Sequence, residues 1–335
     1  MNQSLAACVC VLALSAPVSC KAATAGPVIS SFSPTDGAPG ASVKLSGSGF
    51  SGVTSVTFSG VQASFTVASP SQIAATVPAH AANGKLAVVS ANGTAHSRAA
   101  FWVDNFVDTG FAVTPLKSAA YTLQADEWNS SAPLKVASDG GVDLRIIDSA
   151  IGNATNGAPG AYPSLYRGCH WGSCTSGSGL PVAVAALQQP GTVTTTIRST
   201  TVSGGAWNDA YDIWFNASTS TGDNQTGLEL MVWMAHSGAV QPVGATVQDS
   251  VIGGRDYIVW YGGAGHNGGT VSLVLKNPST AMVDLDLGPL GAFAVARGYM
   301  ANSWYLIDVE AGFEVWQGGT GLTVKSFKVC DPAGC

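Results

Sequence analysis

The sequence predicts an all-β protein in which a small β-sandwich precedes a large two-sheet β-jelly roll with one short helix. Glycine is abundant, with 41 of 335 residues, and this is typical of many turns between short strands. Apolar residues alternate with small or polar ones over most of the chain, as in half-buried strands. Only the stretch from Pro289 to Tyr299 has helical spacing, and Gly298 is its stop signal.

The composition limits the classes of partner. Charged residues make up 10% of the chain and the formal net charge is -6, which gives no basic surface for nucleic acid or anionic lipid. An apolar content of 46% argues against disorder, and the turn-rich pattern argues against a coiled coil or helical bundle. A neutral polymer remains a suitable partner, and no cofactor is expected.

Residues 1–25 have the pattern of a secretory signal. Leu5 to Val18 is an apolar run without acid or base, too short to span a membrane, and Ala23-Thr24-Ala25 is a small-x-small cleavage pattern. The absence of Lys or Arg before the run departs from this pattern. Lipoprotein anchoring through Cys20 is the less favoured alternative, because Pro17 stands where a lipobox has Leu. We therefore expect a secreted protein without a membrane span.

Four cysteines follow the predicted signal, as two pairs with the spacing C-x4-C: Cys169 with Cys174, and Cys330 with Cys335. An even number in an exported chain favours disulfides, and two short local loops are the simplest of the three possible connectivities. Zinc is the alternative, but only His170 lies near a pair. No metal site is expected.

The first domain is predicted at residues 26–103. Five or more short alternating strands, separated by turn signals such as Asp36-Gly37 and Asn92-Gly93, indicate a small β-sandwich. The stretches Ser31-Phe32-Ser33-Pro34-Thr35-Asp36-Gly37-Ala38-Pro39-Gly40 and Ser46-Gly47-Ser48-Gly49-Phe50 resemble the IPT/TIG immunoglobulin-like module. With few aromatic residues, this domain is expected to act as a spacer or docking module.

The second domain is predicted at residues 113–335, after a linker at 104–112 that is rich in turn-forming and polar residues. Eight of the nine tryptophans lie in this second region. A region of more than 200 residues with many strands and one helix suggests the large two-sheet jelly roll.

Three strands of the second domain present an acid and a tryptophan on the same face. Side chains alternate along a strand, so the aliphatic residues Leu228, Leu230, Val232 and Met234 face the core and their neighbours face outward. The outward sets are Glu229, Met231 and Trp233; Asp212, Trp214 and Asn216; and Glu314 and Trp316. Sugars stack their flat CH faces on indole, and cleavage of a glycosidic bond needs two carboxyl groups.

Five blocks in collinear order, over residues 118–329, resemble glycoside hydrolase family 12, the secreted jelly-roll endoglucanases. The blocks are Tyr162-Pro163-Ser164-Leu165-Tyr166-Arg167-Gly168-Cys169-His170-Trp171, Tyr211-Asp212-Ile213-Trp214, Glu229-Leu230-Met231-Val232-Trp233, Gln241-Pro242-Val243-Gly244, and Ala311-Gly312-Phe313-Glu314-Val315-Trp316-Gln317-Gly318-Gly319. The resemblance implies Glu229 as nucleophile, Glu314 as acid/base and Asp212 as support for the nucleophile. It also implies a Cys169–Cys174 disulfide and a retaining mechanism, with the two glutamates about 5–5.5 Å apart.

The predicted substrate-binding residues are mostly aromatic: Trp128, Asn129, His170, Trp171, Trp214, Met231, Trp233, Trp260 and Trp316. The chain has four glutamates in all. Glu310 is the rival acid, since strand parity places it on the face of Glu314, but the G-F-E-x-W block favours Glu314. Glu127 and His236 are candidates for the edge of the cleft.

The sequence thus predicts a secreted, monomeric, retaining endo-β-1,4-glucanase that hydrolyses cellulose or related β-glucan polysaccharides. One alternative is an endoglucanase specific for xyloglucan. Another is a non-catalytic carbohydrate-binding or adhesion protein. The two opposed acids argue against this alternative, because a protein that only binds sugars needs the aromatic residues but not two carboxyl groups.

Overall fold

The computed structural model describes residues 25–222, 227–263 and 268–335, with the backbone alone at 106–108. The predicted signal segment up to residue 24, including Cys20, lies outside the described residues. Within the described part, neither helix has the length and apolar content needed to cross a lipid bilayer.

The N-terminal domain is a β-sandwich of nine strands. Its strands are β1 (Val28–Ser33), β2 (Asp36–Gly37), β3 (Ser42–Ser48), β4 (Val53–Phe58), β5 (Val61–Gln62), β6 (Phe65–Ser69), β7 (Gln72–Thr76), β8 (Gly84–Ser90) and β9 (Gly93–Val103). One sheet has the order β1-β3-β7-β6 and the other β2-β9-β8-β4-β5. Inward residues of both sheets, such as Leu45, Ile73 and Phe58, form one core.

In its described residues, the C-terminal domain contains eighteen strands and two helices. They are β10 (Phe106–Asp108), β11 (Val113–Leu116), β12 (Tyr121–Gln124), β13 (Leu134–Ser138), β14 (Leu144–Ser149), β15 (Ser164–His170), β16 (Ser173–Cys174), β17 (Val182–Ala183), α1 (Val184–Leu187), β18 (Thr194–Thr200), β19 (Ala206–Asn216), β20 (Leu228–Ser237), β21 (Ala245–Ile252), β22 (Arg255–Gly262), β23 (Thr270–Leu275), β24 (Ala281–Asp286), α2 (Gly288–Ala296), β25 (Tyr305–Gly312), β26 (Val315–Gln317) and β27 (Thr323–Cys330). The strand β10 falls within the predicted linker and pairs with β13.

Two sheets pack face to face in this domain. The smaller has the order β10-β13-β14-β27-β18-β24, and the larger has the order β11-β12-β15-β25-β19-β20-β23-β22-β21, with β16, β17 and β26 paired beside it. Residues such as Tyr211 and Val232 of the larger sheet meet Ile146 and Phe327 of the smaller sheet in one core. The larger sheet therefore has a second face, here called the cleft face, that is free to carry polar and aromatic residues.

The part of the chain that the structure describes contains two helices, where the sequence predicted one. The helix α2 begins near Pro289, which suits a first helical turn, and Gly298 follows its end with φ of 73°. Its residues Leu290 and Ala294 join the core. The helix α1 is a single turn of four residues, too short to produce a helical period in the sequence.

Both predicted disulfides are present, and each joins two cysteines that are five residues apart in the sequence. Cys169 and Cys174 lie on the paired strands β15 and β16, with their Cα atoms 4.1 Å apart. Cys330 and Cys335 join the end of β27 to the last residue of the chain, with a Cα separation of 4.0 Å. Local pairing of neighbouring cysteines is therefore the connectivity of these four cysteines.

The two domains meet at a polar junction centred on Asn83. Its backbone N–H donates to Asp139 Oδ2 at 2.8 Å, and its side-chain amide donates to Asp143 Oδ2 at 2.9 Å. The side-chain oxygen of Asn83 accepts the N–H of Val103 at 2.7 Å. Asn105 adds hydrogen bonds from its amide to carbonyl oxygens of both domains. These bonds fix the end of β9 against the C-terminal domain.

Candidate active site

A long open cleft of about 1100 Å³ crosses the cleft face of the larger sheet. Its floor and walls come from distant parts of the chain, which the sheet order brings together. The lining includes Phe111, Val113, Gln124, Asp126, Trp128, Tyr162, His170, Trp171, Asp212, Trp214, Glu229, Met231, Trp233, Thr270, Glu314 and Trp316, with the loop segments 155–159 and 241–244. The concave, mostly apolar surface with a few convergent polar groups is typical of a ligand site.

Glu229 lies in β20, whose alternation places its side chain in the cleft and the neighbouring Leu228 and Leu230 in the core. Strand β23 runs parallel to β20 and sets Thr270 beside Glu229. The Thr270 hydroxyl donates to Glu229 Oε2 at 2.7 Å. This hydrogen bond holds the carboxyl group of Glu229 in one orientation.

Asp212 lies beside Glu229 on the adjacent strand β19, and it also lines the cleft. Burial raises the pKa of Asp212 well above its ordinary value, and the charge of Glu229 raises it further. A protonated Asp212 is the favoured form, because two or more carboxylates at this site cannot all be ionised at low energetic cost.

Glu314 lies between β25 and β26 and is held by Asn208 of β19. The Asn208 amide donates to Glu314 Oε2, and the Glu314 N–H donates to Asn208 Oδ1 at 2.9 Å. Burial raises the pKa of Glu314 to about 8, and the charge of Glu229 contributes to the rise. Glu314 is therefore protonated at neutral pH, as a proton donor must be.

Glu310, the predicted rival acid, lies on the cleft face but beneath the cleft lining. Its carboxylate accepts hydrogen bonds from Gln124 and Ser164, each at 3.0 Å, and contacts His170 Nδ1 at 2.5 Å. Burial lowers the pKa of His170, but Glu310 and Asp126 together raise it, so the net direction is upward. Glu310 is thus fully engaged in a buried ion pair with a histidine of the cleft wall.

His170, Asp308 and Glu310 are also the group of described residues that could hold a metal ion, with ligand atoms within 4.8 Å of one another. The Nδ1 of His170 is, however, directed at Glu310. Burial and the Glu310 charge raise the pKa of Asp308 well above its ordinary value, which favours its protonated form. The chemistry of this group is that of a hydrogen-bonded acid and histidine network.

The tryptophans divide into buried and exposed members of the cleft. The rings of Trp233 and Trp316 lie 6.1 Å apart, and the Trp316 indole donates to the Gly157 carbonyl at 2.7 Å. Trp214, which is in register with Glu229, and Met231, which lies between Glu229 and Trp233 in β20, are buried at the floor of the cleft. Trp128 and Trp171 present broad exposed surfaces at the cleft. Together they form aromatic surfaces suited to flat apolar faces of a ligand.

Two of the predicted binding residues lie outside the cleft lining. The Asn129 side chain donates to the Pro159 carbonyl at 3.0 Å, so it supports the loop that forms one wall. Trp260 is in register with Ser272 and Met231 on the cleft face, but it is two strands further from the acids than Met231. Glu127 and His236 also lie outside the lining.

Asn208 and Thr270 were missed by sequence reasoning. Asn208 has the parity of Asp212 in the same strand, so alternation alone could have placed it on the cleft face. Thr270 has no such signal, because its position beside Glu229 depends on the pairing of β20 with β23, which are separated by two other strands in sequence.

The family model described as "Glycosyl hydrolase family 12" matches residues 119–330, more than half of the chain. The chain belongs to glycosyl hydrolase family 12. A second family model, "IPT/TIG domain", matches residues 27–102, so the N-terminal sandwich is a TIG module attached to a family 12 domain. The chain is therefore a glycoside hydrolase.

Relatives of the family 12 domain include cellulases and xyloglucanases. "Probable cellulase Cel12b" of Mycobacterium tuberculosis is 35% identical over 124 residues, covering 37% of this chain and 80% of that protein. "Xyloglucan-specific endo-beta-1,4-glucanase A" of Emericella nidulans is 32% identical over 36% of this chain and 51% of that protein, so the match spans about half its length. The solved endoglucanase Cel12A of Rhodothermus marinus is 35% identical, with a TM-score of 0.62 over 67% of this chain and 98% of that one.

Proposed function

We propose that this family 12 enzyme is a secreted, retaining endo-β-1,4-glucanase in which Glu229 is the nucleophile and Glu314 the acid/base. The observation that carries the proposal is the difference between these two acids within one cleft. Glu229 accepts a hydrogen bond from Thr270 that orients its carboxyl group in the cleft, whereas burial and the Glu229 charge raise the pKa of Glu314 to about 8. One carboxylate and one carboxylic acid are what double displacement requires.

In the first step, the Glu229 carboxylate attacks the anomeric carbon and the C–O bond to the leaving sugar breaks. Glu314 gives its proton to the leaving oxygen, and a covalent glycosyl-enzyme ester forms on Glu229. The Asp212 carboxyl beside Glu229 stays protonated, which limits charge repulsion at the nucleophile.

In the second step, Glu314 acts as a base. The ester on Glu229 carries no charge, so one of the causes that raised the pKa of Glu314 is gone and its carboxylate form is accessible at neutral pH. The carboxylate takes a proton from water, the water oxygen bonds to the anomeric carbon, and the bond to Glu229 breaks. The product keeps the β configuration.

The open shape of the cleft supports cleavage within a polymer. A chain lying across the sheet can extend beyond the acids on both sides, with Trp128 and Trp171 as stacking surfaces. The low charge of the protein suits a neutral polysaccharide. Two disulfides suit an oxidising compartment, which supports export.

Substitution of each of the four glutamates by Gln tests the roles. We expect Glu229→Gln and Glu314→Gln to reduce reducing-sugar release from a soluble β-glucan by roughly a thousandfold or more. Glu127→Gln is the matched control, since Glu127 lies outside the cleft lining. Glu310→Gln should retain at least about a tenth of the activity, because its hydrogen bonds are structural.

Full activity of either Glu229→Gln or Glu314→Gln would contradict the assignment, and inactivity of Glu310→Gln combined with an active Glu314→Gln would reverse it. NMR of the first product formed by the unmodified enzyme tests retention. The β-anomer should appear before mutarotation, and an initial α-anomer would exclude a covalent Glu229 ester.

A xyloglucan-specific enzyme is the second candidate. The Emericella nidulans relative carries that description. The wall segments Gly157 to Pro159 and Pro242 to Gly244 carry no aromatic or long side chain, which suits a branched polysaccharide. Rates on xyloglucan and carboxymethyl cellulose separate the candidates, since a strict xyloglucanase leaves the unbranched polymer intact.

A further inference from the structure

Three aromatic side chains are strongly exposed in the described part of the chain, and all three line the cleft. Trp128 is 48% exposed, Trp171 is 45% exposed and Phe111 is 70% exposed. Exposed apolar surface concentrated in one place marks a binding site on a soluble protein. The proposed function accounts for the two tryptophans, which lie within the family 12 match, but not for Phe111.

Phe111 precedes the family 12 match, which begins at residue 119. It belongs to the connecting segment, residues 104–112, between the TIG module and β11. The Glu127 N–H donates to the Gly110 carbonyl at 3.1 Å, and Val113 pairs with Gln124 of β12. The bond between Glu127 and Gly110 extends this pairing beyond the strand ends and brings Phe111 close to Asp126 in sequence register, and Phe111 itself lines the cleft. Asp126 and Gln124 both line the cleft.

The connecting segment is held at both ends. At its start, Asn83 forms hydrogen bonds with Val103 of the TIG module and with Asp139 and Asp143 of the C-terminal domain. Strand β10, inside the segment, pairs with β13, and β11 follows directly and pairs with β12. The backbone on each side of Phe111 is therefore fixed, so a ligand does not have to order it, and such preorganisation favours binding.

Phe111 lies far from the bond that is cleaved. Strand β11 is four strands from β19, which carries Asp212, and neighbouring strands lie about 4.8 Å apart, giving a distance of about 19 Å along the sheet. A glucan chain bound over the acids would need several sugar residues to reach Phe111. Contacts made there affect long substrates and leave short ones unchanged.

We propose that Phe111 is a distal sugar-stacking position for a β-1,4-glucan chain, supplied by the connecting segment that the TIG module anchors. The occupant is the substrate chain itself, because Phe111 lines the cleft that also contains Glu229 and Glu314. The ring offers a flat apolar surface to the CH face of a pyranose. This inference rests on the proposed function.

The test compares a long and a short substrate in the full-length protein. Phe111→Ala should lower kcat/KM for cellohexaose roughly three- to tenfold, as expected for the loss of one aromatic contact. Hydrolysis of an aryl β-cellobioside should not change. Phe111→Tyr should retain the cellohexaose rate, and Val283→Ala, an exposed residue of the smaller sheet, is the control for removal of surface apolar area.

A binding measurement that does not need turnover compares the affinity for cellohexaose of the Glu229→Gln variant with that of the Glu229→Gln, Phe111→Ala double variant. The additional Phe111→Ala substitution should lower this affinity by the same factor, roughly three- to tenfold. If Phe111→Ala changes neither the rate on cellohexaose nor the affinity for it, the inference about Phe111 is overturned. Hydrolysis of glucans by the wild-type protein would still uphold the proposed function in that case. An equal loss on both substrates would also overturn it. A wild-type protein that neither hydrolyses nor binds glucans would overturn both.

Discussion

Asn208 and Glu314 hold each other through backbone and side chain. The Asn208 N–H donates to the Glu314 carbonyl at 3.0 Å, in addition to the two bonds that involve the Asn208 side chain. The amide leaves the Glu314 carboxyl with little rotational freedom, which suits a group that must protonate one oxygen and later deprotonate water. A bond donated to the carboxylate also limits the rise in the pKa of Glu314.

Removal of this amide should therefore change both the rate and its pH dependence. We expect Asn208→Ala to lower kcat roughly tenfold or more by loosening Glu314. The basic limb of the rate profile should move to higher pH, because the substitution removes the bond that lowers the pKa of Glu314. Rates measured from pH 5 to 10 provide the check.

Asn302→Ala is the control for this prediction, since Asn302 is exposed and bonds Gln188 away from the cleft. A basic limb that moves to lower pH in Asn208→Ala would contradict the role assigned to Asn208. A lower kcat without a shift of the limb would point to general damage at the site.

Alternation along strands predicted which residues share the cleft face because the backbone geometry of a strand imposes a period of two. Glu229, Asp212 and Glu314 could be identified in this way, and the family resemblance supplied their proposed roles. Trp260, predicted as a binding residue, lies on the cleft face but too far along the sheet to line the cleft. Thr270 depends on a long-range strand pairing, which no local pattern encodes.

At the scale of elements, close packing of β25 between β15 and β19 determines where Glu314 lies. Gly312, two residues before Glu314, ends β25 opposite Ser164 and Ala210. A Cβ at this position would lie 2.1 Å from the Pro163 carbonyl oxygen. Any larger residue forces the backbone apart at the point where the chain turns to present the acid.

Gly312→Ala should therefore reduce both stability and activity. We expect a loss of about 1–3 kcal/mol in the free energy of unfolding, the usual range for overpacking. Gly152→Ala is the matched control, since a Cβ there would have nothing within 4 Å. Thermal unfolding and initial rates provide the measurements, and equal stability of the two variants would contradict the steric argument.

Buried acids in the C-terminal domain and at the boundary between the two domains determine how the stability of the protein responds to pH. Burial is the largest cause that raises the pKa of Asp104 to about 6, of Asp126, Asp143 and Asp209 to about 7, and of Glu314 to about 8. Each group binds its proton more tightly in the folded state than in the unfolded state. Stability is then full below the ordinary pKa near 4 and decreases as the pH rises towards 8.

We therefore expect the melting temperature to be lower at pH 8 than at pH 5 by roughly 5 °C. Below pH 4 the stability should instead fall as the pH falls. Burial raises the pKa of Asp331, but its hydrogen bonds, above all the one from Arg167, lower it by more, so protonation of Asp331 removes the stabilisation that this ion pair provides. Calorimetry across this range is the measurement. Asp209→Asn should flatten the pH dependence of the melting temperature, because it removes a buried acid that accepts a hydrogen bond from Ser199 outside the cleft. A melting temperature that rises from pH 5 to pH 8 would contradict the prediction.

The parallel pairing of β20 with β23 has a consequence for how substrate preference can change in this enzyme. Parallel neighbours cannot be joined by a tight turn, so the chain leaves β20, forms the β21–β22 hairpin beyond β23 and only then returns. The excursion begins with segment 241–244, which forms one wall of the cleft. This wall can lengthen, shorten or change shape without altering the register of the strands that carry Glu229 and Asp212. Selection for a wider or a narrower glucan can therefore act on the wall segment without disturbing the catalytic residues.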